Sequence, residues 1–191
     1  MRDGCRPYVS AMIVIAGNKI ARYSSCTSKH AEQIFIESET FQHYIKNTEL
    51  KCVTFFMKTH PCHHSTIVSR CTQSPILDKF SCTLLLIDYY EHILKPRGIQ
   101  LHIHVASLNR AVWKNPKRQE DIQAAENSRL GLKMMLRAGI LILAFQKKDW
   151  LQVATLCEDD INEADLLSPT RQQLDCCIHN FLHDFNKTIH E

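Results

Sequence analysis

Apolar positions recur along this chain with two alternating periods, and the switches between them mark out its elements. Val9 to Ile15 and Ile20 to Tyr23 are apolar runs on either side of Gly17-Asn18, a pair that suits a tight turn between antiparallel strands. From His30 to Asn47 the spacing becomes helical, with Ile34, Phe35, Phe41, Tyr44 and Ile45 as the core side. Lys51 to Met57 has the pattern of a buried strand, and Pro61 closes it. Residues 63–81, rich in Ser, Thr and His, have weak periodicity and read as a loop. Cys82 to Leu94 reads as a helix that ends at Lys95-Pro96-Arg97-Gly98. Ile99 to Ala106 is a strand, followed by a basic loop from Asn109 to Arg118. The next helix carries Leu132, Met135 and Leu136 on one face and stops at Gly139. Ile140 to Phe145 is a fifth strand, and Asp149 is a candidate cap for the helix after it. Ser168-Pro169 opens a last helix through Phe185.

A hairpin followed by strands joined through helices predicts a three-layer α/β fold, a five-stranded mixed sheet with helices on both faces. The length of 191 residues suits a single domain over residues 1–191 with one core, and there is no internal repeat or low-complexity segment. A composition of 45% hydrophobic and 23% charged residues is that of an ordinary globular protein. The net charge of +3 permits polyanion binding without requiring it. No apolar run approaches the length of a membrane span, so no membrane partner is expected. Met1 to Pro7 lacks the apolar centre of a signal peptide, and Tyr8 to Ala16 reads as a strand of the fold.

Candidate chemistry sits where the helical patterns begin. His30-Ala31-Glu32 stands at a helix start, and Pro61-Cys62 follows the third strand. In that order, with a strand pattern between them, His-x-Glu and Pro-Cys are the sequence form of a zinc site that deaminates a nucleobase. One His and two Cys hold the metal, and a Glu that is not a ligand handles protons. With His30 and Glu32 two residues apart, one side chain faces the metal and the other reaches the water it activates. The alternative is a purely structural zinc or core site. Such sites are usually closed by four protein ligands, and the placement of Glu32 argues for an open position.

With these elements in place, the chain resembles the AID/APOBEC-like cytidine deaminases over nearly all of its length. His30-Ala31-Glu32-Gln33-Ile34-Phe35 looks like that family's His-Ala/Val-Glu helix start. Phe41 to Lys46, then Val53 to Met57, look like its helix and strand before Pro-Cys. Leu132 to Gly139 before an Ile/Leu strand, then Lys148-Asp149-Trp150, resembles a later segment. The resemblance implies a cytidine-deaminase-like fold with His30 and Cys62 each beginning a helix beneath the sheet, Zn²⁺ as cofactor, and Glu32 as the proton shuttle. It also implies that the backbone of Ala31 binds the base carbonyl.

The third ligand departs from the family pattern, which has Pro-Cys-x-x-Cys or slightly longer, because Ser65 stands three residues after Cys62. Cys82 fits better than Cys71, since Thr83 to Tyr89 continues as the helix that follows the third ligand in the family. Residues 63–81 are then an insertion between two ligands. Cys71 is the alternative, and His63 and His64 are expected to be solvated. Two aromatics that hold the flipped base in polynucleotide deaminases are replaced here by Thr59 and Asn109. Trp113, beside Lys114, Lys117 and Arg118, is a replacement that stacks on a base while the cations meet phosphate, or else it packs on the fold. Tyr23 is expected in the core.

Nine cysteines are many for a reduced intracellular protein. Apart from two zinc ligands, seven remain: Cys5, Cys26, Cys52, one of Cys71 and Cys82, Cys157, Cys176 and Cys177. Such a set allows at most three bridges and one free thiol. With the sequon Asn186-Lys187-Thr188, it favours a secreted, disulfide-bonded branch of the family, the alternative being a cytosolic protein with buried thiols. The first functional expectation is hydrolytic deamination of cytosine to uracil in single-stranded DNA or RNA. The others are the same reaction on a free cytidine nucleoside or nucleotide, and a deaminase-fold binding protein without turnover.

Overall fold

The computed structural model describes residues 11–26, 29–63, 81–156 and 163–190. Strand β1 (Ala11–Ala16) turns through Gly17, at φ 55°, into β2 (Lys19–Ser24), as the Gly-Asn pair predicts. Strands β3 (Cys52–Met57), β4 (Gln100–Val105) and β5 (Leu141–Ala144) complete one sheet of order β2-β1-β3-β4-β5. β1 is antiparallel to β2 and β3, while β3–β4 and β4–β5 are parallel. The mixed five-stranded sheet expected from the sequence is therefore present.

The pleat divides the strand residues between two apolar layers. Met12, Val14, Val53, Phe55, Leu101, Ile103 and Ile142 face the larger core. Three helices cover that side: α1 (Ala31–Glu37), α3 (Cys82–Tyr89) and α4 (Gln119–Ala138), which supply Phe35, Leu86, Leu132 and Met135 to it. Helix α2 (Glu39–Asn47) adds Phe41 and Ile45. Ile13 and Phe56 face the other way, together with Ala106 and Phe145. Trp150, Val153 and Leu156 of α5 (Lys147–Leu156) pack on this second layer. Burying both faces removes from water the apolar side chains that would otherwise line an open sheet. A short α6 (Glu163–Leu166) precedes the long α7 (Pro169–His190), whose Ile178 and Leu182 join the larger core.

Three boundaries differ from the sequence pattern for identifiable reasons. The helical stretch from His30 to Asn47 breaks at Ser38, giving α1 and α2. On one continuous helix, Phe35 and Phe41 would point about 120° apart. The break lets both face the core, and Gln42 Nε2 donates to the Phe35 carbonyl at 2.9 Å. The helix from Cys82 passes at Tyr90 into a π-helical turn (Tyr90–Leu94) and a 3₁₀ turn (Lys95–Arg97) that ends on Gly98 at φ 68°. Asp149 caps α5 from inside its first turn, where its carboxylate accepts the Gln146 amide at 2.8 Å. Helix α4 ends at Gly139, at φ 94°, as expected.

Cys26, Cys52, Cys62, Cys82, Cys176 and Cys177 are all unbridged, so no disulfide joins described cysteines. Cys5, Cys71, Cys157 and His64 lie outside the described residues. Among the described residues, no helix is long and apolar enough to cross a membrane.

Candidate metal centre

Two helix starts and one strand end meet at the site. His30 is the N-cap of α1, in extended backbone, and its amide donates to Gln33 Oε1 at 2.9 Å. Ser81 is the N-cap of α3, accepting the Leu84 amide at 3.2 Å, which makes Cys82 the first residue of that helix. Cys62 lies in irregular backbone after β3, so the expectation that it begins a helix is not met. Cys82 opens the helix instead. The carbonyl of Cys62 accepts the Thr83 amide at 3.0 Å and the Ser81 hydroxyl at 3.3 Å. These bonds bring Ser81 and Thr83 against Cys62, so the two cysteines stand together; residues 64–80, read from the sequence as a loop, lie outside the described residues.

His30 Nδ1 lies 3.1 Å from Cys82 Sγ and 3.5 Å from Cys62 Sγ, and all three ligand atoms fall within 4.8 Å of one another. In a tetrahedral zinc site, adjacent N and S ligand atoms stand about 3.6 Å apart and two S atoms about 3.8 Å. The observed spacing and the nitrogen–thiolate donor set fit a divalent, borderline-soft cation such as zinc. Among the described residues this is the one group of three that can hold a metal ion.

The three ligand groups and Glu32 shift one another's titration strongly. Cys62 is pushed down to about 4 by a hydrogen bond from the Cys82 thiol and then by His30. Cys82 is pushed up by its bond to Cys62, by burial and by the charge of Glu32. His30 rises to about 9, chiefly through its bond to Cys62. Glu32, 5% exposed, is raised to about 7 by burial and then by the charge on Cys62.

The remaining expected site residues fall in different settings. Ala31 is buried, and its amide donates to Ser25 Oγ at 3.1 Å, so it is not available to a base carbonyl as the chain stands. Thr59 is half-buried in the bend between β3 and His60. Asn109 begins a 3₁₀ turn (Asn109–Val112) within the expected basic loop, and Trp113 caps it. Trp113 is 38% exposed, with the Arg110 guanidinium 5.2 Å from its ring centroid. Arg129 of α4 fixes this turn by donating to the carbonyls of Ala111 at 2.9 Å and Trp113 at 2.6 Å. Tyr23 lies in the core as expected. His63 does not: it is buried rather than solvated, with Nδ1 2.8 Å from Ser81 Oγ.

Sequence reasoning missed His60, Ser128 and Gly131. His60 is buried beside Pro61, its amide donating to Ser107 O at 3.2 Å and its Nε2 3.3 Å from Ser128 Oγ, while Nδ1 has no partner among the described residues. Its signal was its position immediately before Pro-Cys. Ser128 and Gly131 gave none, because small residues inside a helical run look like filler. No protein-family model matches the chain, and no curated protein matches it.

Proposed function

We propose that this chain is a zinc-dependent cytidine deaminase, held together at its reacting centre by His30, Cys62 and Cys82. The observation that carries the reading is a buried carboxylate, Glu32, two residues from a ligand histidine in a His-Cys-Cys cluster. Three protein ligands leave a fourth tetrahedral position open, as catalytic zinc sites do. What zinc supplies when bound is acidification of a water, so that a nucleophile exists at neutral pH.

With the metal held by His30, Cys62 and Cys82, Glu32 would carry both protons of the reaction: one from water to N3 of cytosine as C4 is attacked, then one from the new C4 hydroxyl to the departing amine, so that cytosine and water yield uracil and ammonia. Burial suits it to this work, since a carboxyl group whose charge is penalised both accepts and returns a proton near neutrality.

Single-stranded nucleic acid is the substrate class favoured by Trp113. Its partly exposed ring, carried on a turn that Arg129 fixes and flanked by Arg110, Lys114, Lys117 and Arg118, suits base stacking beside phosphate contacts. Uracil formation by the zinc-loaded chain from a cytosine oligonucleotide and from free deoxycytidine tests this. Preference for the oligonucleotide, reduced in Trp113→Ala, agrees with the reading. Turnover of deoxycytidine alone, indifferent to Trp113, assigns the enzyme to free nucleosides.

A further inference from the structure

Helix α4 reaches the Cys62 segment at two points one turn apart. Ser128 Oγ lies 3.3 Å from His60 Nε2, two residues before the ligand. Gly131 lies against the residue after it: a Cβ built there would fall 2.7 Å from His63 Cβ and 2.9 Å from Thr83 Oγ1. Real Cβ atoms do not approach so closely, so a side chain at Gly131 requires His63 or Thr83 to move. Thr83 follows the other cysteine ligand directly, and its amide and hydroxyl bond the carbonyls of Cys62 and Pro61 at 3.0 and 3.4 Å. Gly131 thus faces the junction that sets the separation of Cys62 and Cys82. Ala124 and Ala125, also buried on α4, continue the small-residue face that permits this approach.

We propose that Ser128 and Gly131 are positioning residues for the metal ligands: Ser128 tethers the Cys62 segment through His60, and Gly131 leaves the space in which Cys62 and Cys82 are held together. The proposal rests on the metal reading of the His30, Cys62 and Cys82 cluster and adds to it a part of the chain that the motif residues do not include. A glycine inside a helix ordinarily weakens it relative to alanine, so its presence in the middle of α4 needs a reason of this kind. Groups that orient ligands from outside the coordination sphere change metal affinity by about 10–100-fold.

The test is the zinc dissociation constant of the full chain, by competition with a chromophoric chelator, together with the thermal midpoint of the zinc-free protein. Ser128→Ala, which removes one bond and adds no bulk, is expected to weaken zinc binding about tenfold. Gly131→Ala is expected to weaken it further and to lower the midpoint, against the rise that alanine brings to an unobstructed helix. Leu130→Ala, on the exposed side of α4, is expected to leave zinc affinity unchanged. Wild-type affinity in both Ser128→Ala and Gly131→Ala, or a higher midpoint with unchanged affinity in the latter, overturns the proposal. Should Gly131→Ala fail to fold, Ser128→Ala alone decides. A wild-type chain that binds no zinc removes the metal reading and this proposal together, an outcome distinct from tight wild-type binding with indifferent variants.

Discussion

Phe35→Ala tests how the site is seated. Phe35 follows Glu32 by one helical turn and is fully buried, with four aromatic rings set edge-on around it. Ring centroids lie at 5.7 Å for Tyr23, 5.6 Å for Phe41, 5.0 Å for Phe55 and 5.4 Å for Tyr89. Truncating a buried Phe to Ala costs about 3–5 kcal/mol, including the cavity left behind. Aromatic pairs contribute about 0.5–1.5 kcal/mol each beyond the area they bury, so four of them place this site at the upper end of that range. We expect a loss of about 5 kcal/mol, which is comparable to the whole stability of a weakly stable domain. Phe35→Leu, which keeps an apolar group of similar volume, should cost less than about 2 kcal/mol. Urea unfolding followed by circular dichroism measures both. Because Phe35 anchors α1, which carries His30 and Glu32, Phe35→Ala should also weaken zinc binding while Phe35→Leu largely retains it. A loss below about 2 kcal/mol for Phe35→Ala would falsify the view that this ring anchors α1 on the sheet.

Other consequences are equally open to measurement. Glu32→Ala should retain one zinc by elemental analysis and lose at least about 10²-fold in deamination, because the proposed mechanism has the carboxylate move protons and hold no metal. Cys82→Ser should release zinc, whereas Cys71→Ser should leave the stoichiometry at that of the wild type; the reverse pattern would reassign the third ligand. Asp149 experiences burial that raises its pKa, but the hydrogen bonds from His104, at 3.0 Å, and from the Gln146 amide outweigh it and hold the group below its ordinary value. A depressed carboxylate contributes stability above its unfolded pKa and loses it as pH falls through the folded one. Asp149→Asn should therefore destabilise by about 1–2 kcal/mol at pH 7, by urea midpoint, with the difference from wild type shrinking below the ordinary carboxylate range.

The sheet was legible in the chain because its strands carry short, dense apolar runs and its turns carry Gly-Asn and Pro. The two motif halves were legible because His30-Ala31-Glu32 and Pro61-Cys62 each sit at an element boundary, where a side chain can leave the core. Cys82 stood out as a candidate through the helix that follows it, and it meets His30 and Cys62 in the fold, while Cys71 lies outside the described residues. What could not be read was long-range. Nothing in the local pattern around Ser128 or Gly131 shows that α4 lies against residues 60–63, because that contact depends on how the helix packs. The buried His63 meets Ser81, eighteen residues further along the chain, a contact that no local pattern shows. The abundance of cysteines led toward disulfides, but the six described thiols are unbridged, two of them gathered around His30. Composition counts thiols; only the fold decides which of them meet.

Whether this chain deaminates cytosine is decided by uracil formation from a cytosine-containing single strand, comparing the zinc-loaded wild-type chain with Glu32→Ala at matched zinc content. The wild type should form uracil, lose the product on zinc chelation and recover it on zinc return, and the variant should form none above background. Equal product from both proteins would contradict the role of Glu32. A wild-type chain that binds zinc at His30, Cys62 and Cys82 yet forms no uracil from the strand or from free deoxycytidine would contradict the deaminase reading itself.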